Sequence, residues 1–144
     1  MLTDQLCCQA KEAGSFLASI AKTHCKSGKK LAYIAGGETI VNITGHGKGG
    51  RNQEIALSAA EGIKGMPNAA VFSRGSDGTD GPTDAAGGYC DGDTAGVLKN
   101  KGIDIFEVLK NNDAYNALKL TEGLIITGPT GTNVNDVSVL LISD

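Results

Sequence analysis

Apolar residues at Leu6, Ala10, Ala13, Leu17 and Ile20 recur at three- and four-residue intervals, with polar positions filling the gaps. That period predicts one amphipathic helix from about residue 4 to residue 26, ending in a basic turn. The pattern then changes. "LAYIA" (Leu31 to Ala35) and "ETIVNIT" (Glu38 to Thr44) are short runs of β-formers split by Gly36 and Gly37, which predicts a hairpin. "RNQEIALSAAEGIK" returns to a helical pattern, with Ile55, Leu57 and Ala59 among strong helix formers. "AAVFS" (Ala69 to Ser73), "LIIT" (Leu124 to Thr127) and "VSVLLIS" read as strands. Between them, "DGDTAGVLKNKG" predicts a helix from Asp93 that Gly102 stops, and "DIFEVLKNND" and "AYNALKL" predict two short helices.

Strands alternating with helices predict an α/β domain, layered α/β/α, on a mixed, mostly parallel sheet that includes one antiparallel hairpin. Residues 1–30 are expected to form a lead-in helix packed on a domain made by residues 31–144. No repeat, linker or low-complexity tail interrupts the chain.

Composition narrows the function classes. With 144 residues, 40% hydrophobic and 20% charged, the chain has the make-up of one soluble globular domain. A net charge of −3 with scattered Lys and Arg excludes a nucleic-acid footprint, and three Phe, three Tyr and no Trp leave no base-stacking platform. No run approaches the length of a membrane span, and the N-terminus lacks a signal-peptide core, so a cytoplasmic location is expected. Cys7, Cys8, Cys25 and Cys90 have no metal-ligand spacing and suit reduced thiols. The outlier is glycine. Its 21 residues are clustered, which predicts loops with close backbone approach to something else.

Three loops hold the candidate chemistry, and each is expected to follow a strand, where open α/β sheets bind ligands. In "GHGKGGRNQE", Gly45, Gly47 and Gly50 satisfy G-x-G-x-x-G before a helix. Backbone N–H groups and the helix N-terminus would favour an anion there, with Lys48 and Arg51 adding charge-assisted bonds. A plain glycine turn with a basic surface fits the same residues, and the loop is no Walker A motif, because Lys48 is followed by Gly49. In "SDGTDGPTD", Asp77, Asp80 and Asp84 with Thr79 and Thr83 could hold Mg²⁺, orient a substrate hydroxyl or take its proton. Turn chemistry is the competing reading for any single one of these aspartates, and Asp84 could instead cap the next segment of chain. "TGPTGTNVND" offers hydroxyls and backbone N–H groups, or simply a well-capped loop. His46 lies in the glycine loop, whereas His24 reads as surface; "DGD" at Asp91 to Asp93 reads as a turn and N-cap.

"GGETIVNITGHGKGGRNQE", "GSDGTDGPTDAAGGYCDGDT", "NDAYNAL" and "TGPTGTNVNDVSVLL" together resemble, in order, the blocks of the MOFRL domain. That domain is the C-terminal part of the class II glycerate kinases, a family also labelled hydroxypyruvate reductases. The resemblance covers about Leu31 to Ile142. It implies transfer of the ATP γ-phosphoryl group to D-glycerate with Mg²⁺, 2-phosphoglycerate being the usual product. It places the active site between this domain and a Rossmann-like N-terminal domain that these residues do not include. By the same resemblance Arg51 would bind substrate and stabilise charge on the transferring group, and Asp77 would orient or deprotonate the glycerate hydroxyl. Asp80 and Asp84 would support Asp77 or face Mg²⁺. Gly47, Lys48, Gly49, Gly50, Asn52 and Glu54 match motif positions that would bind substrate or phosphate, and Thr130, Thr132 and Asn133 would line the same cleft. Glu38 matches a motif position to which the resemblance gives no particular role. Arg74 and Ser76 depart from the small residues and Thr more usual in that segment.

Because phosphoryl transfer is mostly positioning and electrostatics, half a cleft is expected to be inactive alone. It would need the N-terminal domain as partner, and its uncovered surface would favour self-association. Two other readings stand beside the kinase. One is an NAD(P)H-dependent hydroxypyruvate reductase, drawn from the glycine fingerprint and Arg74. The other is a non-catalytic organic-acid-binding or assembly module.

Overall fold

The structure, a computed structural model, describes residues 1–143. A six-stranded sheet runs in the order β1-β2-β6-β3-β4-β5, built from β1 (Thr3–Leu6), β2 (Leu31–Gly37), β3 (Ala69–Gly75), β4 (Gly87–Asp91), β5 (Leu124–Ile125) and β6 (Asp136–Ile142). Five helices accompany it: α1 (Ala10–His24), α2 (Arg51–Gly62), α3 (Thr94–Asn100), α4 (Ile105–Lys110) and α5 (Ala114–Leu120).

The expected α/β architecture with a mixed sheet is present, but the strand directions are reversed in proportion. Only β1 and β2 pair in parallel; β2–β6, β6–β3, β3–β4 and β4–β5 are all antiparallel. The cause is β6. Its residues come from the far end of the chain and enter between β2 and β3, pairing with each over seven positions. The hairpin expected between residues 31 and 44 therefore does not form. Glu38 to Thr44 is irregular, touching the ladder only through a bridge from Ile40 to Gln9. The hairpin that does form is β3–β4, whose connection is the aspartate loop. β4 has no apolar run to announce it, because "GGYCD" pairs through backbone rather than through a β-branched face.

Residues 3–6 are also a strand and not the start of the first helix. Leu6 has helical spacing to Ala10, yet the Leu2 N–H donates to Ile34 O and draws the segment onto the edge of β2. Tertiary pairing outweighs local period here. From Ala10 onward the expected helix is present, burying Ala10, Ala13, Gly14, Leu17, Ala18 and Ala21 along one stripe.

Helix α2 is the axis of the helical layer. It is buried almost all round, and Ala56, Ala59 and Ala60 are small enough to admit close neighbours. Its Ile55 and Leu57 join Leu17, Leu98 and Leu118 from other helices and Val71, Cys90, Leu140 and Ile142 from the sheet in one core. Those sheet residues alternate with their neighbours and so share one face. On the opposite face, Ile34, Val139, Phe72 and Tyr89 lie in register across four strands. No helix residue joins a core on that side among the described residues, so the arrangement is helices on one face, not α/β/α. Ile34, Tyr89 and Leu141 remain about two-fifths exposed.

The cysteines are unbridged, as expected, and burial pushes the Cys90 thiol far above its ordinary range. No helix among the described residues is long and apolar enough to cross a membrane.

Candidate functional site

Strands β2 and β3 run the same way, and both end opposite the first residue of β6. Gly37 and Gly75 are each in register with Asp136. The sheet thus delivers three chain ends to one edge. Helix α2 begins over that edge, with Gly50 as N-cap and Arg51 as its first residue.

The Arg51 guanidinium bridges this junction. Its Nε donates to Asp136 Oδ2, its Nη2 to Asp136 Oδ1 at 3.2 Å, and its Nη1 pairs with Glu38 Oε1 at 2.9 Å. The two carboxylates are not alike. The Asp136 side chain is 8% exposed and Glu38 63% exposed. The hydrogen bond to Asp136 raises the Arg51 pKa further, so its charge is permanent. A side chain built at Gly75 would meet Asp77 Oδ1 at 3.1 Å and Asp136 Oδ1 at 3.4 Å, so Asp77 and Asp136 flank one glycine. Asp77 accepts the Thr79 N–H at 2.9 Å, which lowers its pKa and keeps it ionised.

Asp80 has a different role from the one expected. Its Oδ1 accepts from the Asn52 N–H at 3.1 Å and from Asn52 Nδ2 at 3.2 Å, and its Oδ2 accepts from the Gln53 N–H at 2.9 Å. The carboxylate caps α2 from a distant loop, supplying what Gly50, which has no side chain, does not. Asp80 is buried, and desolvation raises its pKa. With both oxygens taken, it is poorly suited to Mg²⁺. Asp84 is exposed and accepts the Tyr115 hydroxyl at 2.7 Å, which lowers its pKa. Among the described residues no group of three or more His, Cys, Asp and Glu side chains is arranged to hold a metal.

The glycine loop also departs from its sequence reading. The backbone donors of Thr44 to Lys48 do not face an open anion site; they are bound by the segment Asn111 to Asp113. Asn112 Oδ1 accepts from Thr44 N–H at 2.7 Å and Gly45 N–H at 2.9 Å, and Asn111 accepts from His46 and Gly47 through its side chain and carbonyl. Asp113 Oδ1 accepts from Lys48 N–H at 2.8 Å. Lys48 places its ammonium 4.1 Å from the Tyr115 ring centre, a cation–π contact. Gly47, Gly49 and Gly50 are present instead as walls of a cavity.

That cavity, of about 690 Å³, is lined by Glu38, Thr39, Ile40, Arg51, Glu54, Pro82 and the loop glycines, with Asn112 below. Glu54 is 4% exposed, accepts from Asn112 Nδ2 at 2.9 Å, and has its pKa raised by burial. Asn52 accepts at its side-chain oxygen from the buried Ser73 hydroxyl, which makes it a strut between α2 and β3.

The third loop closes against the second. Thr130 Oγ1 donates to Ser76 O at 2.6 Å, and its N–H reaches Asp77 O at 3.1 Å. The Val134 N–H donates to Ser76 Oγ at 2.8 Å. Asn133 Oδ1 accepts the Asn135 N–H, and Thr132 and Asn133 are exposed at the rim. Arg74 donates to the carbonyl of Gly75, while His46 is exposed and His24 packs on Tyr33 away from the cavity. The three loops that the sequence singled out are therefore joined at one place. Sequence reasoning missed Asp136, Asn112, Tyr115 and Thr39, whose importance lies in partners at distant positions that no local pattern encodes.

Comparison with known proteins gives consistent results. The MOFRL family model matches residues 31–136. The chain is 55% identical to a D-glycerate 2-kinase of Thermotoga maritima over 146 aligned residues, covering 99% of this chain and 35% of the relative. It is 47% identical to a glycerate 2-kinase of Pyrococcus horikoshii, covering 99% of this chain and 33% of that one. A crystal structure of a glycerate kinase from Thermotoga maritima superposes with a TM-score of 0.93 at 56% identity, over 97% of this chain and 35% of the other. The chain spans about a third of the length of these relatives.

Proposed function

The chain belongs to the MOFRL family, and from that premise we propose that it forms one wall of the active site of a D-glycerate 2-kinase. In this reading ATP with Mg²⁺ and D-glycerate are the substrates, 2-phosphoglycerate is the product, and the enzyme is cytoplasmic. The observation that carries the proposal is the meeting of Arg51, Asp136 and Asp77 at one edge of the sheet, beside a cavity of small-molecule size.

The residues divide the work by their surroundings. Asp136 holds Arg51 by two points, while exposed Glu38 is the partner that an incoming carboxylate or phosphoryl oxygen replaces at Nη1. Arg51 then places a permanent positive charge where negative charge gathers on the transferring group. Asp77 accepts the hydrogen bond of the attacking hydroxyl and receives its proton as the new P–O bond forms and the bond from phosphorus to the ADP oxygen breaks. A loose transition state demands little basicity, so an aspartate held ionised by Thr79 is adequate for orientation. Mg²⁺ enters with the nucleotide as part of the substrate and neutralises its phosphates. Asp84, Thr130, Thr132 and Asn133 stand at the rim of the loop cluster and are assigned to the same cleft.

Covering the cavity requires further protein. About two-thirds of each relative's length lies outside the part matched by this chain, and that remainder is the proposed second wall. The apolar row on the outer sheet face supports packing against more protein or self-association. Against the reductase alternative, the N–H groups of Gly45 to Lys48 are already bound by Asn111 to Asp113, which takes them from a pyrophosphate cradle.

The test is an ATP-dependent assay with D-glycerate and Mg²⁺, run on the chain alone and mixed with the separately expressed remainder of the Thermotoga maritima relative. Formation of 2-phosphoglycerate in the mixture only is expected. Oxidation of NADPH by hydroxypyruvate in place of phosphorylation would refute the kinase reading.

A further inference from the structure

Glu54 is a carboxyl in the wall of the cavity with one of its two oxygens unpartnered. Oε1 accepts from Asn112 Nδ2 at 2.9 Å, whereas Oε2 has no hydrogen-bond partner among the described residues. Oε2 is not sealed from solvent, so a partner can reach it from the cavity. The Thr39 hydroxyl is also unpaired. It lines the same cavity, the residue is 3% exposed, and Oγ1 has no partner among the described residues. A carboxylate oxygen and a buried hydroxyl, both without a protein partner among the described residues and both on the wall of one open cavity, suit a ligand atom that both donates and accepts, which is the chemistry of a hydroxyl.

Asn112 sets the position of Glu54. It is buried, adopts a left-handed backbone with φ of 56°, and donates to both Asn42 O and Glu54 while accepting from Thr44 and Gly45. The glycine loop and the Glu54 carboxyl are thus fixed by one amide. Glu54 also stands three residues after Arg51 on α2, which puts the two side chains on one helical face about 5–6 Å apart at their Cβ atoms. A three-carbon acid spans that interval, with its carboxylate on the guanidinium and its terminal hydroxyl over the carboxyl.

We propose that Glu54 is the specificity-determining residue for the terminal hydroxyl of a short hydroxy acid, binding it through Oε2 beside the Thr39 hydroxyl, with Asn112 as its positioning residue. This deepens the kinase reading and rests on it for the choice of substrate. The hydroxyl recognised here is the one that is not phosphorylated. Glu54 distinguishes D-glycerate from an otherwise identical acid with a methyl group in that place.

The experiment is an amide and side-chain-amide NMR titration of this chain with D-glycerate and with D-lactate, which lacks the terminal hydroxyl. The wild type is expected to bind D-glycerate about tenfold more tightly, the scale of one well-made hydrogen bond in a buried site, with the Asn112 side-chain amide shifting only for D-glycerate. Glu54→Gln should keep most of that preference, since an amide still meets a hydroxyl. Glu54→Met should bind both acids with the affinity of D-lactate. Equal affinities in the wild type, an undiminished preference in Glu54→Met, or no binding of D-glycerate would each overturn the inference. If Glu54→Met does not fold, the wild-type ratio and the Asn112 shift decide the matter. A tenfold preference together with no phosphorylation in the reconstituted mixture would remove the kinase reading and leave the site; phosphorylation without the preference would do the reverse.

Discussion

Asp80 caps Asn52 across 28 residues of sequence, with its Oδ1 on both the backbone and the side-chain amide of that residue. The middle aspartate of the loop is thereby a structural clamp between β3–β4 and α2, while its neighbour Asp77 stays beside Gly75 and Asp136 at the strand ends. Asp80→Ala should lower folding stability by about 2 kcal/mol, the upper range for losing a helix cap. Asp80→Asn, which keeps one acceptor oxygen, should lose roughly half as much. Urea unfolding measures both. Equal stability of Asp80→Ala and wild type would mean that the cap contributes nothing.

Glycine substitutions separate packing from ligand chemistry. A Cβ at Gly47 would lie 2.4 Å from Asp113 Cβ and 2.6 Å from Asn111 O, so Gly47→Ala should destabilise by about 1–3 kcal/mol without any ligand present. Gly96, inside α3, has nothing within 4 Å of that point, and Gly96→Ala should stabilise by about 0.5–1 kcal/mol. Thermal melts of the two variants give the contrast. A neutral Gly47→Ala that only weakens anion binding would restore the phosphate-loop interpretation.

Arg51 and Asp136 should behave as a coupled pair. Arg51→Ala leaves a nearly buried carboxylate without its partner and should cost about 1–3 kcal/mol; this is below the full cost for a buried pair because Arg51 is a third exposed. Adding Asp136→Asn should recover at least half of the loss. A double-mutant cycle by chemical denaturation reads the coupling. Strictly additive losses would mean that Arg51 is not held by Asp136 in solution.

Burial raises the Glu54 pKa, and the consequence for stability has a definite sign. A carboxyl with a folded-state pKa above its unfolded value binds more protons when folded. It favours the native state fully below roughly pH 4.3, the ordinary Glu value, and that advantage is lost as pH rises through the folded-state pKa. Glu54→Gln removes this loss. Its melting temperature should fall less than that of wild type as pH rises from about 4 to 7, and parallel curves would show that the carboxyl is better solvated than its burial implies.

The helices and most strands are legible in the sequence, because Leu17, Ile55 and Val71 carry their burial in a local period. Pairing is not. Nothing near Leu31 says that its partner is Ile142, and so a nearby run of β-formers reads as its hairpin partner. The loops are legible as a group because glycine and aspartate in that density have few other uses. Their internal assignments are not, since whether Asp80 meets a metal or a helix N-terminus depends on Asn52 and Gln53 being brought to it. The fingerprint at Gly45 to Gly50 misleads for the same reason: the spacing is right for an anion, but Asn111 to Asp113 arrive first.

The junction of Gly37, Asp136 and Gly75 ties recognition to folding fidelity. Side chains alternate along a strand, so a slip of β6 by one position would turn Asp136 to the other face and set Val137 beneath the guanidinium. Such a chain would retain helices, core volume and much of its sheet, yet hold Arg51 by nothing. The charge centre exists only in correctly registered molecules, and a ligand that binds it proofreads the sheet, drawing the population toward the one alignment in which the strands end together.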